Sequence, residues 1–432
     1  MKNYRSTPQI IAASNSLIDK NKYRIKKELI PVLDNGIPVR FNHCVSAEAE
    51  AEWIAEEIEN LHKEGVQYRD ITVLYRAHYV SRSIEEALLK EKIPYTIYSG
   101  VQFFNRAEIK NALSYLRMIV YKDDLSFERT VNTPGRKIGQ SRMKFLREYA
   151  EEHGVTLYRA LCENADGDRF RGTGAKKYIS LIESYAQSYE DRAVSELLSS
   201  ILNESGYEEQ LRTEGSGERL DNLAELKQSV YEYETSCGEE STVEHYLTNA
   251  ALFTNDDTSD MRDRVKLMTV HSAKGLEFPY VFLCSMNEGI FPSRKVDTIQ
   301  EMEEERRLAF VAMTRAEKGL YISEAEGSIH NGAPRYPSRF IFDIGDECMS
   351  GIDNIPQGLT SASIRYIKAK SVRLRGEKSS DKMEAGTRVR HAVFGAGTIE
   401  SIDNEKNAYI IKFDSIDTTR AISVKAALEV IK

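Results

Sequence analysis

What this 432-residue sequence lacks narrows what it can be. No apolar run approaches the roughly 20 residues that a membrane-spanning helix needs. The first residues lack the apolar core of a secretion signal. The five cysteines, Cys44, Cys162, Cys237, Cys284 and Cys348, include no close pair. That excludes a zinc or CxxC redox motif, and a sparse, odd set fits a reducing cytoplasm. Nothing matches GxxxxGK[ST]; the glycine–lysine neighbourhoods at 172–177 and 273–275 have the wrong order and spacing. Without that loop the chain has no backbone cradle for β- and γ-phosphates and no hydroxyl placed for Mg²⁺. No strand ending in a metal-holding acid stands out either. A net charge of −8 argues against wholesale coating of nucleic acid. A local groove stays open, because a few placed cations supply the phosphate contacts.

The rest is ordinary for a globular protein, with 41% hydrophobic and 29% charged residues. The length calls for two or three domains. The most informative stretch is 265–291, VKLMTVHSAKGLEFPYVFLCSMNEGIF. Its apolar, β-branched opening at 265–270 reads as a buried strand, and 280–284 reads as another. Between them lies the polar, glycine-closed HSAKG loop, followed by Glu277. In an open α/β sheet, ligands gather at loops beyond the carboxyl ends of strands, so this loop is a site candidate.

Upstream, Ser6 or Thr7 reads as an N-cap with Pro8 in the first helical turn. Residues 48–62 form an amphipathic helix pattern, 71–75 a short buried strand and 83–90 another helix. That alternation predicts a parallel sheet with helices packed on it. From about 105 to 260 the pattern is mostly helical. The insertion leaves and re-enters the sheet domain at neighbouring places, which makes a two-stranded hinge. Within it, 131–150 carries a glycine turn ahead of a helix, an arrangement that offers backbone N–H groups to a phosphate. At 301–305 an acidic run marks a helix start. Leu308, Val311 and Ala312 are expected on its inward face, with Thr314-Arg315 at its end and Gly319 breaking to a strand at 320–322. An arginine there presents a bidentate fork that lysine cannot supply. Residues 365–382 hold seven basic and two acidic residues and read as a disordered linker. Runs at 397–402 and 408–413 predict a β-hairpin.

TVHSAKGLEFP, EGIFPS at 288–293, EEERRLAFVAMTRA at 303–316, NYRSTPQII at 3–11 and GVQFFNRAEIKNALSYLRMI at 100–119 occur in one order. They resemble the later motifs of superfamily 1 DNA helicases of the UvrD/Rep/PcrA type. The resemblance implies a RecA-like parallel-sheet domain at 1–104 and 261–350, with a mostly helical insertion at 105–260. A basic linker at 351–383 and a small SH3/Tudor-like barrel at 384–432 would complete the chain.

For the site, the resemblance implies that Tyr4 stacks on adenine and that Arg5 reaches the terminal phosphate. Gly275 and Glu277 would bind the nucleotide, Glu277 through its sugar, and Arg315 would be the arginine finger. Thr269, His271 and Arg76 would line the DNA track. Ala77 stands where relatives carry a hydroxyl, so that DNA contact is either lost or passed to His78. The region around Lys137 and Gly139 resembles a helix-hairpin-helix with one of its two glycines replaced. Asn331, before Gly332, stands where relatives carry a base-gripping aromatic.

The resemblance therefore implies the C-terminal portion of a cytoplasmic, ATP-dependent 3′-to-5′ DNA helicase. ATP and Mg²⁺ would serve the full-length protein, with neither held tightly by this portion, and no resident metal site is expected. The implied partners are single-stranded and junction DNA, the preceding RecA-like half, and RNA polymerase through the barrel, with no membrane contact. A non-catalytic DNA- or partner-binding module is the alternative reading.

Overall fold

A computed structural model describes the chain apart from residues 1, 24–27, 99, 239–240, 254–262, 329–333, 375–384, 392–394, 404–407, 415–418, 424–427 and 431–432. The chain forms two compact units, Met1–Val296 with Glu303–Ser361, and Asp297–Met302 with Ala362–Lys432.

In chain order the first unit opens with β1 (Lys2–Asn3), α1 (Pro8–Ile18), β2 (Ile30–Pro31), β3 (Arg40–Cys44), α2 (Ala47–Lys63), β4 (Ile71–Tyr75), α3 (Ser81–Lys90) and β5 (Tyr95–Ile97). A run of helices follows: α4 (Ala107–Val120), α5 (Asp124–Thr130), α6 (Gln140–His153), α7 (Leu157–Asn164), α8 (Ala175–Ala186), α9 (Val194–Glu204), α10 (Tyr207–Thr213), α11 (Gly217–Cys237) and α12 (Val243–Leu252). The chain then returns through β6 (Val265–Thr269), β7 (Phe278–Leu283), α13 (Ile299–Met313), β8 (Ala316–Ala325) and α14 (Arg339–Ile344).

Strands β3, β8, β7, β4, β6 and β5 form one six-stranded sheet in that order. Every pairing in it is parallel, as the alternation of strand and helix predicts. β4 at the centre is buried at all five positions, the pattern of a strand covered on both faces. Helices α2 and α3 cover one face, with Ile54, Ile58, Ile84 and Leu88 packed on Val73, Leu267 and Phe282. Ser46 caps α2 by accepting from the Ala49 N–H at 3.1 Å. Helix α1, with Thr7 at its N-cap and Pro8 in its first turn, lies against β8 and α14.

Two sequence expectations need correction here. Gly319 does not break the chain ahead of a strand, because β8 runs through it from Ala316 to Ala325. Its glycine is needed for a close approach: a Cβ there would sit 2.7 Å from the Tyr280 ring. Helix α13 buries Ala312 as expected, but not Leu308 and Val311. Met302, Glu303, Glu305, Arg306, Ala309, Ala312 and Met313 are buried, while Leu308 and Val311 are only half-buried. The two buried acids are partnered, Glu303 accepting from the Lys22 and Tyr23 N–H groups and Glu305 from Arg76.

The helical block has its own core, built around α4. Ile109, Ala112, Tyr115, Leu116 and Ile119 on α4 are fully buried and meet α5, α8, α9, α11 and α12. Each such aliphatic side chain is worth about 1.5–3 kcal/mol of burial.

Beyond α14, a disordered linker is expected where helix α15 (Gln357–Leu374) forms instead. Its less exposed positions Leu359, Ser363, Ile367 and Ser371 recur every fourth residue, a helical period that a count of basic residues hides. The basic residues 375, 378 and 382 lie outside the described residues. Beyond them come β9 (Arg388–His391), β10 (Gly395–Asp403), β11 (Ala408–Phe413), β12 (Thr419–Ser423) and β13 (Leu428–Val430). They form an antiparallel sheet in the order β12, β11, β10, β9, β13, around Val389, Ile399, Tyr409, Ile411 and Phe413. The expected hairpin is β10–β11. Among the described residues β12 and β13 are the two ends of the sheet order. No described helix is long and apolar enough to cross a membrane.

Candidate functional site

The parallel register puts the residues just ahead of β7 and β8 side by side at the amino edge of the sheet. Phe278 stands opposite Ala316, and the Phe278 N–H donates to the Arg315 carbonyl at 2.9 Å. Glu277 and Arg315 are thereby neighbours although 38 positions separate them in sequence. The N-terminal segment is pinned to the same place. Ser6 donates its hydroxyl to the Ala316 carbonyl at 2.6 Å, and the Thr7 N–H reaches the Glu317 carbonyl at 3.1 Å. Asn3 Oδ1 accepts from the Arg5 and Ser6 N–H groups at 2.9 and 3.0 Å, which fixes the turn that carries Arg5.

On this mount, Arg5 forms an ion pair with Glu277. Arg315 has backbone and hydroxyl partners instead of a carboxylate of its own. Its Nε donates to the Val311 carbonyl at 3.0 Å, Nη1 to the Leu276 carbonyl at 2.8 Å and Nη2 to Thr314 Oγ1 at 3.4 Å. Partial burial, then the neighbouring Arg5 charge, pull the Arg315 guanidinium below its ordinary pKa, and Glu277 only partly opposes them. One carboxylate, paired with Arg5, thus stands near two guanidiniums at this edge, and an oxyanion there would give Arg315 the charged partner it lacks. Tyr4 lies beside them with its surface 69% exposed. Gly275 turns the chain into this edge with φ +88°, a conformation open to glycine at little cost.

The HSAKG loop joins both ends of the sheet. It leaves the carboxyl end of β6, where the Val270 N–H donates to the Tyr75 carbonyl at 2.9 Å. It finishes at the amino end of β7. Glu277 and Gly275 therefore do not lie beyond a carboxyl end, as the sheet-edge rule predicts, because parallel strands oblige the connection to cross back. At its start, Thr269 Oγ1 accepts from the Ser272 N–H at 3.2 Å and holds the turn. His271 is exposed; partial burial of its ring and the Arg76 cation lower its pKa, against Glu305.

Arg76, beside His271 on the carboxyl side, is engaged. Its Nε and Nη2 grip the Glu305 carboxylate at 2.7–3.1 Å, and Glu305 also accepts from the Ser293 N–H at 3.0 Å. His78 turns inward, edge-on to Tyr75 at 6.3 Å, and burial lowers its pKa. Its backbone carbonyl accepts from Arg106 Nη2 at 3.1 Å. Lys137 and Gly139 sit on the helical block and join neither edge. Lys137 has φ +61°, so it adopts the left-handed conformation expected of the replaced glycine. Gly139 caps α6 at an ordinary φ of −83°. Asn331 and Gly332 lie outside the described residues.

Sequence reasoning missed Glu305, whose burial was masked by its place in an acidic helix start. It also missed the Leu276 carbonyl, since backbone acceptors leave no compositional trace. Among the described residues no group of three or more His, Cys, Asp and Glu is placed to hold a metal ion. The donor set at the amino edge suits a phosphate better than a cation.

A parallel sheet interrupted by a helical block between β5 and β6, with arginines gathered at one edge, has the architecture of RecA-like α/β domains. The model of the UvrD-like helicase C-terminal domain matches residues 1–327, and the chain belongs to that family. It is similar to the ATP-dependent DNA helicase PcrA of Staphylococcus aureus (strain Mu50), with 34% identity over 451 residues, covering 99% of this chain and 61% of that protein. The helicase PcrA of Staphylococcus epidermidis (strain ATCC 12228) is 35% identical over 427 residues, covering 94% and 58%. The chain thus spans about three fifths of the length of the curated relatives it matches.

Proposed function

We propose that the chain is the second motor portion of an ATP-dependent DNA helicase moving 3′ to 5′ along single-stranded DNA. The observation that supports this best is the meeting of Arg5, Glu277 and Arg315 from three distant segments, with Glu277 paired to Arg5 and Arg315 held on the adjacent Leu276 carbonyl. In this reading ATP and Mg²⁺ are held chiefly by a phosphate-cradling half that the sequence does not contain. When bound, the nucleotide supplies the phosphoryl group that is cleaved.

This chain's own residues hold and polarise. Arg5 lies beside the phosphates, Glu277 orients Arg5 and the sugar, and Tyr4 offers a stacking face to the base. Gly275 shapes the turn that carries them. Arg315 acts as the arginine finger, neutralising charge that grows on the transferred group, and its backbone mount limits its reorganisation. Thr269 and His271 line the DNA track at the opposite edge. Arg76 joins that track only by exchanging Glu305 for a phosphate, and His78 would need to turn outward to do so. Lys137 and Gly139 extend phosphate contact to junction DNA on the helical block. The antiparallel tail is read as an SH3/Tudor-like barrel for a protein partner, RNA polymerase in the family resemblance.

The test is ATP hydrolysis by the pure chain, with and without single-stranded DNA. Background turnover is expected, because no phosphate loop is present. DNA-stimulated turnover by the pure chain would contradict the reading that the phosphate cradle lies outside this sequence.

A further inference from the structure

Helix α11 of the helical block meets two sheet-side arginines, Arg82 and Arg294, and the block's own Arg106 at the start of α4. Arg294 pairs with Asp221, and Arg106 Nη1 donates to Asn222 Oδ1 at 2.9 Å. Arg82 donates from Nε to Glu225 and from Nη2 to Glu232, each at 2.8 Å. These positions recur at roughly whole helical turns, so one face of α11 carries the contact. Arg82, its side chain 3% exposed, is also 2.9 Å from Glu86 on its own helix and 3.7 Å from Glu48 on α2. Four carboxyl groups therefore surround one guanidinium.

Such a cluster is over-supplied with negative charge, and one atom shows where the excess lies. Glu48 Oε1 is sealed from solvent and has no hydrogen-bond donor. Glu48 Oε1 and Glu232 Oε2 both approach the same Arg82 nitrogen, Nη2, at 3.7 and 2.8 Å, which brings the two carboxyl groups side by side. Two ionised carboxylates repel in that contact, whereas a single proton between them satisfies the orphaned oxygen.

We propose that a proton shared by Glu48 and Glu232 latches the helical block onto the sheet side, and that its loss frees the block to move.

The surrounding groups are these. Helix α2 contributes Glu48, α3 contributes Arg82 and Glu86, and α11 contributes Glu225, Gln228 and Glu232. Helix α12 contributes the buried Tyr246 phenol, and Tyr79 stands beside Glu225. Burial pushes Glu232 up to about 7, with Glu48 adding to the rise and Arg82 opposing it. For Glu48, burial is outweighed by the hydrogen bond from Glu232, then by its own backbone N–H and Ser46, and last by Arg82, which together hold it low. The proton therefore rests on Glu232. Burial raises Glu86 as well, against Arg82, in the same direction.

With the block released, Glu232 returns toward its ordinary value of 4.5. The latched form thus binds the extra proton. Its advantage is full below the released value and is lost as pH rises through about 7.

The experiment measures the distance between spin labels at Gln187 on the block and Lys63 on α2, both exposed. Non-cysteine attachment spares the five cysteines. Measurements run at pH 6 and pH 8 at constant ionic strength. One narrow distance is expected at pH 6, with a second population favoured roughly tenfold more at pH 8. Glu232→Gln, a permanent donor, should keep the narrow distance at both pH values. Glu48→Gln serves the same purpose should the first variant fail to fold. An unchanged wild-type distribution, or a shift as large in the glutamine variant as in the wild type, overturns the proposal.

Discussion

Arg315 and Leu276 meet at the amino edge of the sheet, where the guanidinium Nη1 donates to the Leu276 carbonyl at 2.8 Å. Leu276 closes the connection that begins at His271 on the opposite edge. Arg315 itself follows α13, which holds Arg76 through Glu305 near that opposite edge. Two structural elements, a loop and a helix, therefore run from the neighbourhood of Arg76 to the same arginine.

The Arg76–Glu305 fork gives the first prediction. Glu305→Ala leaves a half-buried guanidinium and the Ser293 N–H without their acceptor. Loss of charge-assisted hydrogen bonds of this kind costs about 2 kcal/mol. Urea unfolding should show that loss. The Arg76→Ala/Glu305→Ala pair should cost less than the sum of the single changes, because they share one interaction. Strict additivity would mean the fork contributes nothing.

Lys137 gives the second. A side chain at φ +61° carries left-handed strain of about 1–2 kcal/mol, against roughly 0.5–1 kcal/mol of entropy that glycine loses on folding. Lys137→Gly should therefore raise thermal stability slightly, and Lys137→Val should lower it. A glycine variant clearly less stable than the parent would show that the lysine side chain makes up the difference.

The pH dependence of stability gives the third. Burial pushes Glu85 up to about 7, opposed by Ser81, Arg106 and the Phe103 N–H. The folded value lies above the ordinary 4.5, so the folded state binds the extra proton. This contribution is fully present below pH 4.5 and disappears as pH rises through about 7. Glu85→Gln should flatten the decline in unfolding free energy measured from pH 5 to 7. A slope unchanged by the substitution would exclude Glu85 as a source.

The parts of the fold that rest on local periodicity were legible in the sequence. Residues 71–75 are β4 as read, and the helix expected at 48–62 is α2 within a residue or two at each end. Residue identity and order likewise singled out Arg5, Glu277 and Arg315. Which end of the sheet they occupy was not legible, since that depends on strand pairing. The cluster around Arg82 was equally hidden, because Glu48, Arg82, Glu225 and Glu232 come from three separate helices. Helix α15 was obscured for a different reason: composition alone cannot separate a solvated basic helix from a linker.

The central claim, that Arg315 stabilises charge developing in phosphoryl transfer, is tested most directly by Arg315→Ala in the full-length protein. Nucleotide affinity and single-stranded-DNA-stimulated kcat should be measured on the same preparation. The account predicts nearly unchanged affinity and a kcat lowered roughly 10³-fold or more, as for other arginine fingers. A collapse of nucleotide affinity with kcat intact would make Arg315 a binding residue and contradict the account.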